Sequence, residues 1–326
     1  MPKDIYFEKK YGQLCERIDG GRAYEYEYED ENGKIRNIFI KREIDQEIDG
    51  KKYFDITTPY GYGGPIIEEL KGDKKTLVEN YYEDFKSYCK DNDIVSEFVR
   101  FHPLISNVKD FKDIYETVYL RKTVATNLKD SDDPVQEEFH KSTRKNIRRT
   151  LRQGVNYEII ENPVNLDVFK SIYFDTMDRN DAEDFYYFDD EYFDYILENL
   201  KDRVINVNVY YDGKCIASGL YFVYGPYIHT HLSGTLSEYL NLSPAYILRY
   251  ALTVWGKEHG KDYIHHGGGT SNDPEDSLFK FKTRFTKDSF FDFHIGKNIY
   301  NQEIYNKLVA ATGGEDNDFF PQYRRR

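Results

Sequence analysis

Between Arg22 and Glu29 the chain alternates strictly: Tyr24, Tyr26 and Tyr28 fall on one side and Glu25, Glu27 and Glu29 on the other. That pattern predicts a strand with one wet face. Asn32-Gly33 supplies hairpin-turn chemistry, KIRNIFIKREI returns as a second strand and KKYFDITT reads as a third. A loop, PYGYGGP, follows at 59–65. Leu77, Tyr81, Phe85 and Tyr88 recur at helical spacing and predict a helix over 74–90. IVSEFVRFHPL at 94–104 reads as a strand halted by Pro103.

The second half repeats this order. ETVYLRKTVATNL reads as extended, SDDPVQ as a turn, and EEFHKSTRKNIRRTLRQG as a helix ending at Gly154. RVINVNVYY, KCIASGLYFVY and YIHTHLSGT predict a meander turned at Asp212-Gly213 and Gly225-Pro226. Ser243 is placed to cap a helix with Pro244 at its first position, and Gly260 to stop it. KDYIHH is a strand, Asp273-Pro274 opens a further helix, and SFFDFHIG is a closing strand. Meander, helix and strand thus occur twice, which suggests a tandem duplication on element order alone.

The 326 residues, at roughly 150 per domain, are enough for two domains. Apolar residues are only 39%, but 31 Tyr and 22 Phe supply core-building surface, so a disordered chain is excluded. The net charge of −13 argues against a general DNA- or RNA-coating protein. Cys15, Cys89 and Cys215 form no metal or redox spacing and read as buried, reduced thiols. No apolar run of about 18 residues is present, and MPKDIYFEKKY lacks a signal-peptide core; the expectation is a cytoplasmic protein with no membrane span.

Against this acidic background, one helix gathers Lys141, Arg144, Lys145, Arg148, Arg149 and Arg152, with no acid between Phe139 and Tyr157. It is either a solvated face or a clamp for phosphate, which arginine grips bidentately. The helix start at Ser243, Ala245 and Tyr246 offers free N–H groups to an anion. In SLFKFKTRF, Leu278, Phe281 and Phe285 share a face, and Lys282 sits beside Phe281 on the apolar side. It is either a snorkelling stem or a charge stabiliser in a cleft. His229 and His231 share a strand face, and one of His265 and His266 can join them. A general base or a substrate hydrogen-bonder is expected there, with no metal, since no fourth ligand of recognised type completes the set. The stretch 175–194, including FYYFDDEYF, is either a solvated face or a wall for an amine-bearing acceptor.

Together, TPYGYGGPI, EFVRFHPL, TRKNIRRTLRQGV, MDRN…FYYFDDEYF, HTHLSGT, LSPAYILRYALTVWGKEHG, HHGGGTSNDPEDSLFKFKTRF and FFDFHIG resemble, over about residues 40–305, the tandem GNAT proteins of the Fem type and their acetyltransferase relatives. The resemblance implies an α/β fold of two GNAT-like acyltransferase domains, each with a mixed, largely antiparallel sheet, packed around a cleft. The first domain is expected over 1–125, and the second, with the basic helix and donor site, over 126–326. It also implies transfer of an acyl group to an amine, with Lys282 matching the family's lysine. The glycine-rich coenzyme A loop and the long coiled-coil insertion of some Fem proteins are both missing.

The reading preferred from sequence is an acetyl-CoA (or other acyl-CoA) N-acyltransferase acting on an amine of a sugar, peptide or cell-envelope precursor. An aminoacyl-tRNA-dependent Fem-type transferase acting on a peptidoglycan precursor is the alternative; a non-catalytic binding protein on the same fold is another. Lys282, His231 and His229 are the catalytic candidates, with strand N–H groups near Leu232 to Gly234 for the oxyanion. Donor binding is expected at Leu232, Gly234, Ser243, Ala245, Tyr246 and Lys282, and acceptor or substrate binding at Tyr60, Tyr62, Arg100, His102, Arg148, Arg149 and Tyr187.

Overall fold

A computed structural model describes residues 3–273, 275–314 and 318–324. The chain divides into two units, one made of Met1–Arg121 with Asp292–Arg326, the other of Lys122–Phe291. The boundary expected at 125/126 therefore falls four residues earlier, and the C-terminal segment, expected in the second domain, belongs to the first.

In chain order the first unit holds α1 (Lys9–Asp19), β1 (Arg22–Asp30), β2 (Gly33–Glu43), β3 (Phe54–Thr57), β4 (Ile66–Leu70), α2 (Lys74–Asp91), β5 (Ile94–Arg100) and α3 (Val108–Phe111). The chain passes to the second unit within β6 (Glu116–Asn127). There follow α4 (Pro134–Glu137), α5 (Lys141–Arg152), β7 (Asn156–Glu161), α6 (Asp167–Arg179), α7 (Asp190–Asn199), β8 (Val204–Tyr211), β9 (Lys214–Tyr224), β10 (Tyr227–Thr235), α8 (Pro244–Glu258), β11 (Tyr263–Gly267) and α9 (Ser277–Thr283). It returns within β12 (Phe290–Ile299) and ends with α10 (Gln302–Thr312).

In the first unit the sheet order is β1-β2-β3-β5-β12, with β4 on β2. The alternation that predicts β1 is used on both faces. Tyr26 and Tyr28 pack toward α2, whose Leu77, Tyr81 and Phe85 are buried, while Glu25 and Glu27 pair with Arg36 and Lys34 of β2 at 3.3 and 2.9 Å. Asp73 caps α2 by accepting from the Thr76 N–H at 2.8 Å. The closing strand β12 runs antiparallel to β5, from Ile295 opposite Arg100 to Ile299 opposite Ser96, so its partner belongs to the first repeat. α10 then seals a small core of Ile304, Tyr305, Leu308 and Val309 against Ile44, Ile48 and Val95.

The second unit has the order β6-β11-β10-β9-β8-β7. α8 covers one face: Ile247, Leu248, Ala251 and Leu252 share a core with Val207, Ala217, Tyr221, Ile228 and Ile264. α6 crosses the other face so closely that a Cβ on Gly234 would lie 2.5 Å from the Ile172 carbonyl oxygen. Asp212 and Gly213, at φ of 48° and 75°, form the expected hairpin turn between Tyr211 and Lys214.

Two helix starts differ from expectation. Ser243 does occupy the N-cap position of α8, but in the left-handed conformation and with no side-chain capping bond. Its neighbour Pro244 has no N–H to offer, and the preceding carbonyl, Leu242 O, is instead held by the Thr150 hydroxyl at 2.9 Å. α9 starts at Ser277, not near Asp273, because Asp276 is the capping residue; Pro274 lies outside the described residues.

Candidate active site

β10 and β11 are parallel neighbours for only three residue pairs, Tyr227–Tyr263, Ile228–Ile264 and His229–His265. Beyond them the strands part. β10 is bulged between Thr230 and Leu232 in its pairing with β9, and β11 is bulged between His265 and Gly267 against β6, with Gly267 at φ 74°. Which N–H groups face the resulting opening follows from the ladder's phase. Leu236 N–H donates to Ile216 O at 2.9 Å, so the in-register pairs Gly234–Ser218 and Leu232–Leu220 also direct their N–H groups to β9. Thr235, out of phase, donates instead to Thr176 Oγ1 at 2.8 Å. Ser233 shares that second phase, so its N–H turns toward the side β11 has left. The sequence-based candidates Leu232 and Gly234 are thus spent on the sheet, and Ser233 is the donor that remains for an oxyanion.

Lys282 stands at the end of β11, where its Nζ donates to Gly268 O at 2.6 Å. Asp276 makes this placement: its carboxylate caps α9 through Phe279 N at 2.8 Å and accepts from the N–H groups of Thr270 and Ser271 at 3.0 and 3.1 Å. The Thr270 hydroxyl, which also donates to this carboxylate, and these backbone N–H groups hold its pKa far below the carboxylate range. The turn is so tight that a Cβ on Gly269 would meet Asp276 Oδ1 at 2.5 Å. Phe281 packs on Tyr246 and Phe285, with ring centroids 5.4 and 5.1 Å away. Leu278, expected on the same inner face, is 39% exposed. The apolar anchor comes instead from Phe285, just after the helix. An N-cap before an apolar run was the sequence signal for Asp276.

Three imidazoles converge on the α6–α7 side of the sheet. His229 meets His265 edge to face at 5.7 Å, and His231 packs on Phe222, the cross-strand partner of His229, at 4.7 Å. His231 Nε2 hydrogen-bonds the Tyr192 hydroxyl at 2.6 Å. Burial first, and the neighbouring His229 second, push the His231 pKa down to about 3. A ring held that low stays neutral at pH 7 and is a poor proton acceptor, so His231 suits hydrogen bonding better than general-base work. Tyr192 carried no signal in the sequence that would tie it to a histidine 39 residues away.

α5 lies against α8 through buried Thr143, Ile147 and Thr150. Its cations face outward. Arg144 donates to the carbonyls of Gln136 and Phe139, Arg149 to Asn146 Oδ1 at 2.8 Å, and Arg152 to Arg148 O at 3.1 Å. Among the described residues none of the six cations is paired with a carboxylate. At the α8 start, the Tyr246 hydroxyl accepts from Arg284 at 2.5 Å, and Ala245 follows Pro244 in the first turn.

The remaining candidates have structural partners. In the first unit, Arg100 Nε donates to Thr58 Oγ1 at 3.1 Å and its Nη2 lies 3.4 Å from Asp19. Asp19 also takes the Tyr60 N–H at 2.8 Å. His102 is fully buried: Ile105 N–H donates to its Nδ1 at 3.2 Å, and its Nε2 lies 3.1 Å from Asp4. Tyr62 is half-buried against Tyr6 and Phe293. These four residues fasten the 59–65 loop and the N-terminal segment. In the second unit, Tyr187 is exposed, stacks on Phe174 and donates to Asp178 Oδ1 at 2.8 Å.

Residues 138–282 match the acetyltransferase (GNAT) domain family. Over 174 residues the chain is 25% identical to the UDP-N-acetylmuramoylpentapeptide-lysine N(6)-alanyltransferase of Weissella viridescens, a match that takes in 52% of this chain and 50% of that one. The chain thus matches about half the length of that relative. The crystal structure of FemX superposes with a TM-score of 0.72 at 14% identity, over 93% of this chain and 94% of the other. The structure of L-PGS from Bacillus licheniformis does so with 0.58 at 13%, over 96% and 92%. These likenesses are to GNAT-fold proteins and, among them, to the Fem type.

Proposed function

We propose that the protein transfers an aminoacyl group from an aminoacyl-tRNA to an amine of a peptidoglycan or other cell-envelope precursor. The observation that carries this choice of donor is α5, with six cations and no carboxylate paired to any of them among the described residues, in a chain of net charge −13. Like charges at i,i+4 cost about 0.2–0.5 kcal/mol per pair, and a polyanion offsets that cost where the chain's own acids do not. The half-length match to an alanyltransferase supports the same reading.

In this chemistry the acceptor nitrogen attacks the ester carbonyl, the new C–N bond forms, the ester C–O bond to the terminal ribose breaks, and the amine's proton passes to the leaving oxygen. Lys282 and the Ser233 N–H are placed to hold the negative charge on the carbonyl oxygen. Acyl-CoA is the second reading, favoured by the parting of β10 and β11 over the α8 start, which offers a slot for a slender chain.

The test is tRNA and coenzyme A binding by the wild type and by the Arg148→Ala/Arg149→Ala double variant. The expected result is salt-dependent tRNA binding that the double variant weakens roughly tenfold at fixed salt, each lost phosphate contact also flattening the salt dependence. Saturable coenzyme A binding with no tRNA binding would reverse the order of the two readings.

A further inference from the structure

On the α8 side of the opening lies a group of polar side chains that take no part in the acyl transfer itself. Arg249, in mid-α8, is 8% exposed. Its Nη1 reaches the Tyr221 hydroxyl at 3.4 Å, its Nε has no hydrogen-bond partner, and no carboxylate pairs with it among the described residues. Tyr221 is fully buried, and its hydroxyl lies over Gly219, where a Cβ would come within 2.2 Å of it. Gly219 is the β9 partner of Ser233, the residue whose N–H faces the opening.

His266, 2% exposed, completes the group. The Thr126 hydroxyl donates to Phe285 O at 2.7 Å, so its oxygen must accept from His266 Nε2 at 2.9 Å. That fixes the tautomer: His266 Nδ1 is a lone-pair acceptor, and it has no hydrogen-bond partner among the described residues. The His266 ring packs on Phe285 with centroids 6.1 Å apart, and Phe285 packs on Tyr246 at 5.6 Å, three residues before Arg249 on α8, which brings the ring and the guanidinium into one neighbourhood. A buried guanidinium with no carboxylate and an unsatisfied Nε, and a buried imidazole nitrogen with no donor, are costly.

We propose that Arg249, the Tyr221 hydroxyl and His266 form a subsite for the side chain and amino group of the aminoacyl group being transferred, and that this group is acidic, aspartyl or glutamyl. The side-chain carboxylate meets the guanidinium and the hydroxyl, and the amino group donates to His266 Nδ1. Both orphaned groups are thereby satisfied by one ligand, next to Lys282 and the Ser233 N–H. The inference rests on the proposed acyl transfer and narrows its donor.

The test uses the full chain and three small probes: L-aspartate α-methyl ester, its neutral isostere L-asparagine methyl ester, and monomethyl succinate, which keeps the carboxylate and lacks the amine. Calorimetric titration is expected to show saturable binding of the aspartate ester, at least tenfold weaker binding of the succinate, and none of the asparagine ester. Equal response to the aspartate and asparagine esters, as for a cavity that holds only water, overturns the proposal without any variant. Tighter binding of monomethyl succinate keeps the carboxylate site but overturns the role of His266, and with it the aminoacyl assignment.

Arg249→Gln is expected to raise the melting temperature of the ligand-free protein and to abolish aspartate ester binding. A fall in melting temperature with binding retained overturns the proposal. In transfer assays, use of alanyl-tRNA but not aspartyl- or glutamyl-tRNA removes this inference and leaves the proposed function standing. Arg249-dependent binding of the aspartate ester with no transfer from any aminoacyl-tRNA does the reverse.

Discussion

Lys282 shows how one side chain is made available for chemistry. An ammonium bonded to the Gly268 carbonyl is held in place by a backbone dipole at the end of β11. That bond holds the side chain beside the opening between β10 and β11. Lys282→Ala is expected to lower kcat by roughly 10²–10³, the scale for loss of one oxyanion donor, with little change in KM and an unchanged melting temperature. Single-turnover transfer kinetics together with a thermal melt check this; a normal kcat in the folded variant removes Lys282 from the site. The lysine's placement on an apolar stripe beside Phe281 was legible in the sequence. The choice of Ser233 over Leu232 and Gly234 was not, because N–H direction depends on the ladder's phase after the bulge at His231.

At the scale of elements, close approach decides more than composition does. Gly234 looks like a flexible strand residue in the sequence, yet its hydrogen is what lets the α6 backbone at Ile172 and Tyr173 lie on β10. Gly234→Ala should destabilise the protein by about 1–3 kcal/mol, as overpacking does, read as a lower denaturant midpoint with the slope unchanged. A midpoint equal to wild type would mean that α6 shifts at no cost. α5 is the opposite case. Its charge block, its inner stripe at Ile147 and its stop at Gly154 are all readable as sequence, and the structure adds that among the described residues no acid pairs with its cations. The helices α1, α6, α7 and α10 were not anticipated. In α6 and α7 half or more of the apolar positions are Tyr or Phe set among acids, which blurs a helical stripe until a core exists to receive it.

For the molecule as a whole, one buried carboxyl links stability to pH. Glu97, on β5, accepts from Tyr115 at 2.9 Å, Asn37 at 3.2 Å and Tyr300. Burial raises its pKa more than these three bonds lower it. A folded-state pKa above the unfolded value of about 4.3 means that the folded protein binds this proton more tightly. The contribution is complete below about pH 4.3 and is lost as pH rises through the folded pKa. Glu97→Gln should therefore flatten the fall in stability across that interval, measured as urea midpoints at pH 5 and pH 8. Parallel curves for variant and wild type would show that Glu97 titrates alike in both states.

Local pattern alone determined the two meanders, their turns, the helix from Pro244, the basic helix and the lysine beside Phe281, because each is written in neighbouring residues through period, turn chemistry or charge. Tertiary structure decided what depends on distant chain. It returned residues 292–326 to the first unit by pairing β12 with β5, parted β10 from β11 after His229, set Tyr192 on His231, and buried Arg249 against Tyr221. In each case the partners are separated by many residues, and only the packing of sheet and helices brings them within bonding range.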